Sequence, residues 1–188
     1  MEQKGWAKAV GGERFHPILG KLAGGDRRSI GRADEVAEEI VADEALFAAV
    51  VSGMLHSDPV IRMRAADAVE KASQTRPDLL QPHKERLLGE IAGVNQQEVR
   101  WHLSLMLARL RLDDGDRRRV LAILDDHLQD ESRIVKVNAM QALAELGLRY
   151  EDLRKHAVEQ LERLTREGSP AMKARGRKLL KALGSRTD

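Results

Sequence analysis

The chain has 188 residues, of which 42% are apolar, 33% charged and 3% aromatic, with a formal net charge of +2 and no cysteine. That suits one domain or a short repeat array with a core of Ala, Leu, Val and Ile, and it excludes a disulfide framework or a thiolate metal site. No run approaches the ~18–20 apolar residues of a membrane span, and the opening MEQKGWAKAVGGERF lacks the apolar stretch of a signal peptide, so a cytoplasmic protein with no membrane partner is expected.

Charge is uneven along the chain. Residues 1–32 carry seven Lys/Arg against three Asp/Glu, and residues 168–188 carry six against one, so both ends are basic and the middle is acidic. Basic ends on an acidic body argue against one continuous phosphate-binding groove. They allow head-to-tail self-contact, or contact with nucleic acid, or plain solvation.

Residues 1–13, with three glycines and few apolar side chains, read as a loose tail. Phe15–Ala23 (FHPILGKLA) predicts one or two helical turns with Pro17 in the first. Gly24–Arg32 (GGDRRSIGR) is a glycine-rich basic loop, either a backbone nest for an anion or a connector. It matches no phosphate-loop pattern. From Ala33 the pattern is helical almost throughout. Asp34 is placed to cap a helix over 35–42 and Asp43 one over 44–56, where Leu46, Phe47, Val50, Val51, Met54 and Leu55 form one 3.6-period stripe. Asp58 or Ser57 caps the next helix and Pro59 fits its first position. Further helices are expected over 79–93, 116–129 and 151–166. No period-2 run is long enough for a strand.

The segment Ile61–Ala72 (IRMRAADAVEKA) returns as Val99–Leu110 (VRWHLSLMLARL), Val135–Leu146 (VKVNAMQALAEL) and Met172–Leu183 (MKARGRKLLKAL), at offsets of 38, 36 and 37 residues. A period near 37 marks a stacked repeat. Three apolar columns follow: Ile61, Val99, Val135, Met172; then Ala65, Leu103, Ala139, Gly176; then Val69, Leu107, Leu143, Leu180. Small residues in the second column allow a neighbouring helix to come close. These are the A helices of the repeat, and the segments between them are the B helices. A helix pair cannot bury both apolar faces alone, and stacking pairs does.

Asp58-Pro59-x-Ile61-Arg62-x-x-Ala65-Ala66-x-Ala68-Val69 resembles the first-helix motif of the HEAT repeat, with the aliphatic-basic pair kept as Val99-Arg100, Val135-Lys136 and Met172-Lys173. The resemblance covers about 44–183. It implies an all-α fold, a right-handed α-α superhelix of about four to five helical pairs. The division expected is 1–34 as tail, short helix and loop, and 35–188 as the HEAT-like domain. HEAT-like proteins are mostly scaffolds and binding surfaces, and a few resemble DNA glycosylases or bilin lyases.

Two polar patterns stand out. The basic column Arg62, Arg100, Lys136 and Lys173 reads either as a row gripping phosphates or an acidic partner, or as an internal ladder onto Asp58, Asp130, Glu167 or helix-end carbonyls. The exposed B-helix face, concave in such solenoids, should present Arg118, Arg119, Asp125, Asp126, Lys155 and Glu159, a mixture of signs that suits a protein partner better than a polyanion. On the first B helix the matching face is Ala48, Ala49, Ser52 and Gly53, so the segment 15–40 should pack on it or beside it as a cap. The six histidines make no His-Glu-x-x-His, and Asp125, Asp126, His127 and Asp130 do not converge for a metal. Trp101 beside His102 is either a packing shoulder or a stacking platform. The expectation is a non-enzymatic scaffold without cofactor or metal that binds a protein. The alternative is a nucleic-acid-binding protein, possibly related to base repair, using the basic ends and column.

Overall fold

The structure, a computed structural model, describes residues 7–8, 14–26 and 29–184. Most of the expected tail over 1–13 lies outside the described residues. Within them, Ala7–Lys8 (β1) and Arg14–Phe15 (β2) pair antiparallel, Ala7 opposite Phe15 and Lys8 opposite Arg14. A two-residue ladder is too short to leave an alternating signature. Otherwise the fold is all-α, an α-solenoid of helical pairs. None of the described helices is long and apolar enough to cross a membrane. The chain divides into two compact units, Met1–Val99 and Arg100–Asp188.

In the first unit a short 3-10 helix, Pro17–Leu22, starts where Pro17 takes the first turn and His16 Nδ1 accepts from Ile18 N at 3.3 Å. It is followed by α1 (Ala33–Ala42), α2 (Glu44–Gly53) and α3 (Pro59–Thr75). Asp43 caps α2 through Ala45 N and Leu46 N, and Asp58 caps α3 through Val60 N. The cap expected at Asp34 is not made. Arg32 holds that position, α1 begins at Ala33, and Asp34 lies in its first turn with its carboxylate 2.5 Å from Lys71 Nζ. The apolar stripe of α2 is buried at Phe47, Val50, Val51 and Met54, with Leu46 and Leu55 at its half-buried edges. As expected, the 15–40 segment closes on α2. A Cβ on Gly53 would lie 2.7 Å from Leu19 Cδ2, and the Phe15 ring sits 4.3 Å from that of His56.

The B helix expected over 79–93 is broken into three: a 3-10 helix Pro77–His83, one α turn α4 (Lys84–Arg86) and a π turn Leu87–Ile91. Pro82 sits inside it and has no N–H to donate, so a uniform α ladder is impossible there. Leu80, Leu87, Leu88 and Ile91 are nonetheless buried.

Helix α5 (Gln97–Arg109) reaches the second unit, which continues with α6 (Asp114–Leu128), α7 (Arg133–Arg149), α8 (Glu151–Glu167) and α9 (Pro170–Gly184). Asp113 and Asp116 form a reciprocal capping box on α6. Helix α7 packs against α6, α8 and α9. The first two apolar columns are buried at all four positions, and the third at Val69, Leu107 and Leu143. In the last repeat Leu180 is only half-buried and Leu179 replaces it, because the buried side of α9 runs Met172, Gly176, Leu179, Leu183 and Leu180 is turned ~100° away. The small second column does what its size allows. A Cβ on Gly176 would run into Thr165 Oγ1 of α8.

Candidate functional site

The basic column divides in two. On α3, Arg62 donates from Nη1 to the carbonyls of His56 at 2.7 Å and Ser57 at 3.0 Å, and from Nε to Gln96 Oε1 at 2.8 Å. On α5, Arg100 spans two carboxylates at the end of α6. Its Nη1 is 2.7 Å from Asp130 Oδ2 and its Nη2 meets Asp126. Both Arg100 and Asp130 are more than 85% buried at the side chain, at 14% and 11% exposure, so this pair is shielded from solvent far more than a surface ion pair. Lys136 and Lys173 form no ion pair among the described residues. Of the carboxylates expected on the column, Asp130 is engaged, Asp58 caps its own helix and Glu167 forms no ion pair among the described residues.

Two residues past Arg62, Arg64 makes a cluster the repeat pattern did not reveal. It is 2% exposed. Its guanidinium enters the glycine-rich loop and donates to Ser29 O (3.0 Å), Leu22 O (2.8 Å), Gly24 O (2.6 Å) and Asp26 O (3.1 Å). Gly24, Gly25 and Gly31 have φ of +74°, +76° and +57°, the left-handed region that turns these carbonyls inward. A Cβ on Gly31 would lie 2.8 Å from Arg64 Cζ. Where it is described, the loop turns its carbonyls onto a cation and is fastened to α3. Arg27 and Arg28 lie outside the described residues, and Arg32 bonds Glu35 through Nε and Nη2 at 2.6 Å each.

The residues expected on the B-helix face lie on α6 and α8, which are linked by two polar bridges. Arg117 Nε lies 2.9 Å from Asp152 Oδ2, and His156 Nε2 lies 2.9 Å from Asp125 Oδ1. Asp125 and Asp126 are therefore both engaged within the chain, the first by α8 and the second by Arg100 of α5. Arg118 and Arg119 are exposed on α6, with Arg119 Nη1 3.9 Å from Asp116 Oδ1. Lys155 and Glu159 are 88% and 59% exposed on α8 and lie 4.0 Å apart.

Beneath this face His127 is fully buried. Ser104 Oγ donates to Arg100 O at 3.0 Å and lies 2.8 Å from His127 Nδ1. One hydroxyl carries one proton, so Nδ1–H donates to Ser104 and Nε2 keeps a lone pair. Nε2 has no partner, and a proton there would be buried without an acceptor. Burial first, and then the Arg100 charge, push the imidazole down to about 4. Among the described residues no group of His, Asp and Glu is arranged to hold a metal. Trp101 is half-buried, with its ring edge-on to His102 at 5.5 Å.

Two clefts flank these features. One of about 310 Å³ lies between α1 and α3, lined by Asp34, Ala37, Glu38, Val41, Lys71 and Thr75. Another of about 340 Å³ lies where the α6–α7 and α8–α9 turns meet, lined by Arg133, Lys136 and Arg163 with Glu131 and Glu167.

No family model matches the chain, and no curated protein matches it. Solved structures do. One is the crystal structure of an engineered protein from the Northeast Structural Genomics Consortium, with a TM-score of 0.57 and 17% identity over 89% of this chain and 78% of that one. Another is that of computationally designed armadillo repeat proteins for modular peptide recognition, with a TM-score of 0.55 and 15% identity over 88% of this chain and 80% of that one. At such identities the likeness speaks for the fold: the chain has a HEAT/armadillo-like repeat fold, as the Asp-Pro-x-Ile-Arg motif implied.

Proposed function

We infer that the chain is a non-enzymatic repeat scaffold that holds a protein partner on the exposed face of α6 and α8. The observation that carries this reading is the pair of bridges Arg117–Asp152 and Asp125–His156, which hold the two helices together while Arg118, Arg119, Lys155 and Glu159 face water. A platform fixed before binding loses little conformational freedom when a partner arrives. Side chains of both signs then select a partner of matching pattern. The likeness to designed proteins for modular peptide recognition supports the same reading. The column is a poor phosphate row, because the guanidinium groups of Arg62 and Arg100 are taken up internally.

The test is site-specific photo-crosslinking in cells from position 118 or 155, with position 44 on α2 as a control. One discrete adduct from 118 and 155 that is absent from 44, and lost in an R118E/R119E/K155E background, is the expected result. Adducts that survive the triple reversal, or that form equally from position 44, overturn the assignment.

A further inference from the structure

The cleft of about 340 Å³ where the α6–α7 and α8–α9 turns meet lies wholly within the second unit. Of the charged side chains that line it, three are cations: Arg133 and Lys136 among the first four residues of α7, and Arg163 on α8. Lys136 holds the column position from which Arg62 and Arg100 fasten their neighbours. Among the described residues, though, the side chains of Lys136 and Arg133 form neither an ion pair nor a hydrogen bond. Arg163 gives one N–H to the neutral amide of Gln160 at 2.7 Å and forms no ion pair among the described residues. Helix stability does not account for the pair on α7. The start of a helix is its positive end, where a cation is unfavourable, and α7 has no acidic residue in its first turn to offset them. Glu131 and Glu167 also line the cleft. Both are exposed, whereas Lys136 and Arg163 are half-buried, so the charge drawn inward is positive.

We propose that this cleft binds a phosphate monoester. That group carries a charge close to −2 on three acceptor oxygens, which three cations match, whereas one guanidinium is enough for a carboxylate. Ser169 lines the same cleft. Its Oγ accepts from Met172 N at 3.4 Å and keeps its own O–H to donate to the ligand. Leu128, Leu164 and Met172 complete the lining with apolar surface, and they meet the group that carries the phosphate. That carrier is either a phosphorylated side chain of a protein or a small phosphate ester, and the chemistry of the cleft is the same for both. The site does not depend on the α6–α8 face, and each assignment can fail alone.

The experiment is isothermal titration calorimetry of the whole chain with phenyl phosphate, with an end-blocked alanine peptide carrying one phosphoserine, and with the same peptide carrying Glu in its place. At about pH 7.5 the phosphorylated probes should bind at least about tenfold more tightly than the Glu peptide. Their affinity should fall about tenfold by about pH 5, where a monoester with a second pKa of about 6 is mostly a monoanion. K136Q/R163Q should weaken binding at least about tenfold. E131Q/E167Q should tighten it by about threefold, a gain that a damaged fold does not produce. R177Q/K178Q, which makes the same change of charge at exposed positions of α9, should leave it unchanged. The Tm of each variant is measured first. Whichever phosphorylated probe binds more tightly identifies the source, protein side chain or small ester, and either supports the proposal. No binding of both phosphorylated probes at about 25 mM salt, equal affinity for the Glu peptide, or an affinity unchanged in both K136Q/R163Q and E131Q/E167Q overturns it.

Discussion

At Arg64 a single side chain fastens the backbone at Leu22, Gly24, Asp26 and Ser29, 35 to 42 positions upstream. Four backbone carbonyls accept from one guanidinium, so its removal leaves several buried acceptors unpaired at once. Each such loss costs about 1–3 kcal/mol where water cannot reach. Arg64→Met, which keeps the stem and removes the donors, should therefore lower stability by about 2–4 kcal/mol in chemical denaturation. An unchanged midpoint would mean the loop holds itself. His127 makes a second residue-scale prediction. Its imidazole titrates near 6.5 when unfolded and about 4 when folded. Between those values the unfolded chain binds the extra proton, so stability is full above pH ~6.5 and falls as pH drops toward ~4, by about 3 kcal/mol in all. The fall between those values should be shallower in His127→Gln than in the parent chain. Equal pH dependence would show that the buried imidazole is not the group responsible.

Single helices show where the pattern in the sequence was decisive and where it was not. A apolar column in steps of three and four placed the A helices within two or three residues, and burial of Leu107 and Leu143 followed from it. Leu107→Ala or Leu143→Ala should cost about 2–5 kcal/mol by calorimetry. The same periodicity missed the broken segment 77–91, because Leu80, Leu87, Leu88 and Ile91 sit at spacings that the mixed helix tolerates and only Pro82 disclosed the break. It also gave no sign of Arg64, since a lone basic residue beside Arg62 looks like another solvated side chain until the loop is folded onto it. The candidate face was legible as a list of residues, but the use of Asp125 and Asp126 inside the chain was not, because His156 and Arg100 lie 31 and 26 positions away. Glycines separate the effects of packing and propensity. Gly89 has nothing within 4 Å of a built Cβ, so Gly89→Ala should stabilise by about 0.5–1 kcal/mol through propensity. Gly176→Ala gains the same propensity but drives a methyl into Thr165, whose hydroxyl donates to Leu161 O at 2.6 Å and whose branched side chain has little room to turn. Overpacking costs about 1–3 kcal/mol, so the net sign should reverse, with a lower Tm.

For the whole chain, a repeat fold spreads stability through nearest neighbours. Weakening α7 should first loosen the elements packed on it, α6, α8 and α9. Hydrogen exchange on Leu143→Ala should show the largest losses of protection there, with α1 and α2 least changed. Uniform loss along the chain would indicate one cooperative block. The same modularity separates the charged surfaces. Arginines serve as internal fasteners at Arg62, Arg64 and Arg100, while Arg177 and Lys178 of the last repeat are exposed.

The clasp on Arg64 also sets which changes the chain can accept. The four acceptors in it are main-chain carbonyls, so the clasp asks for one backbone shape around one guanidinium. Gly24, Gly25 and Gly31 supply that shape and Arg64 fills it. A library that randomises those four positions should return almost nothing but the parent residues.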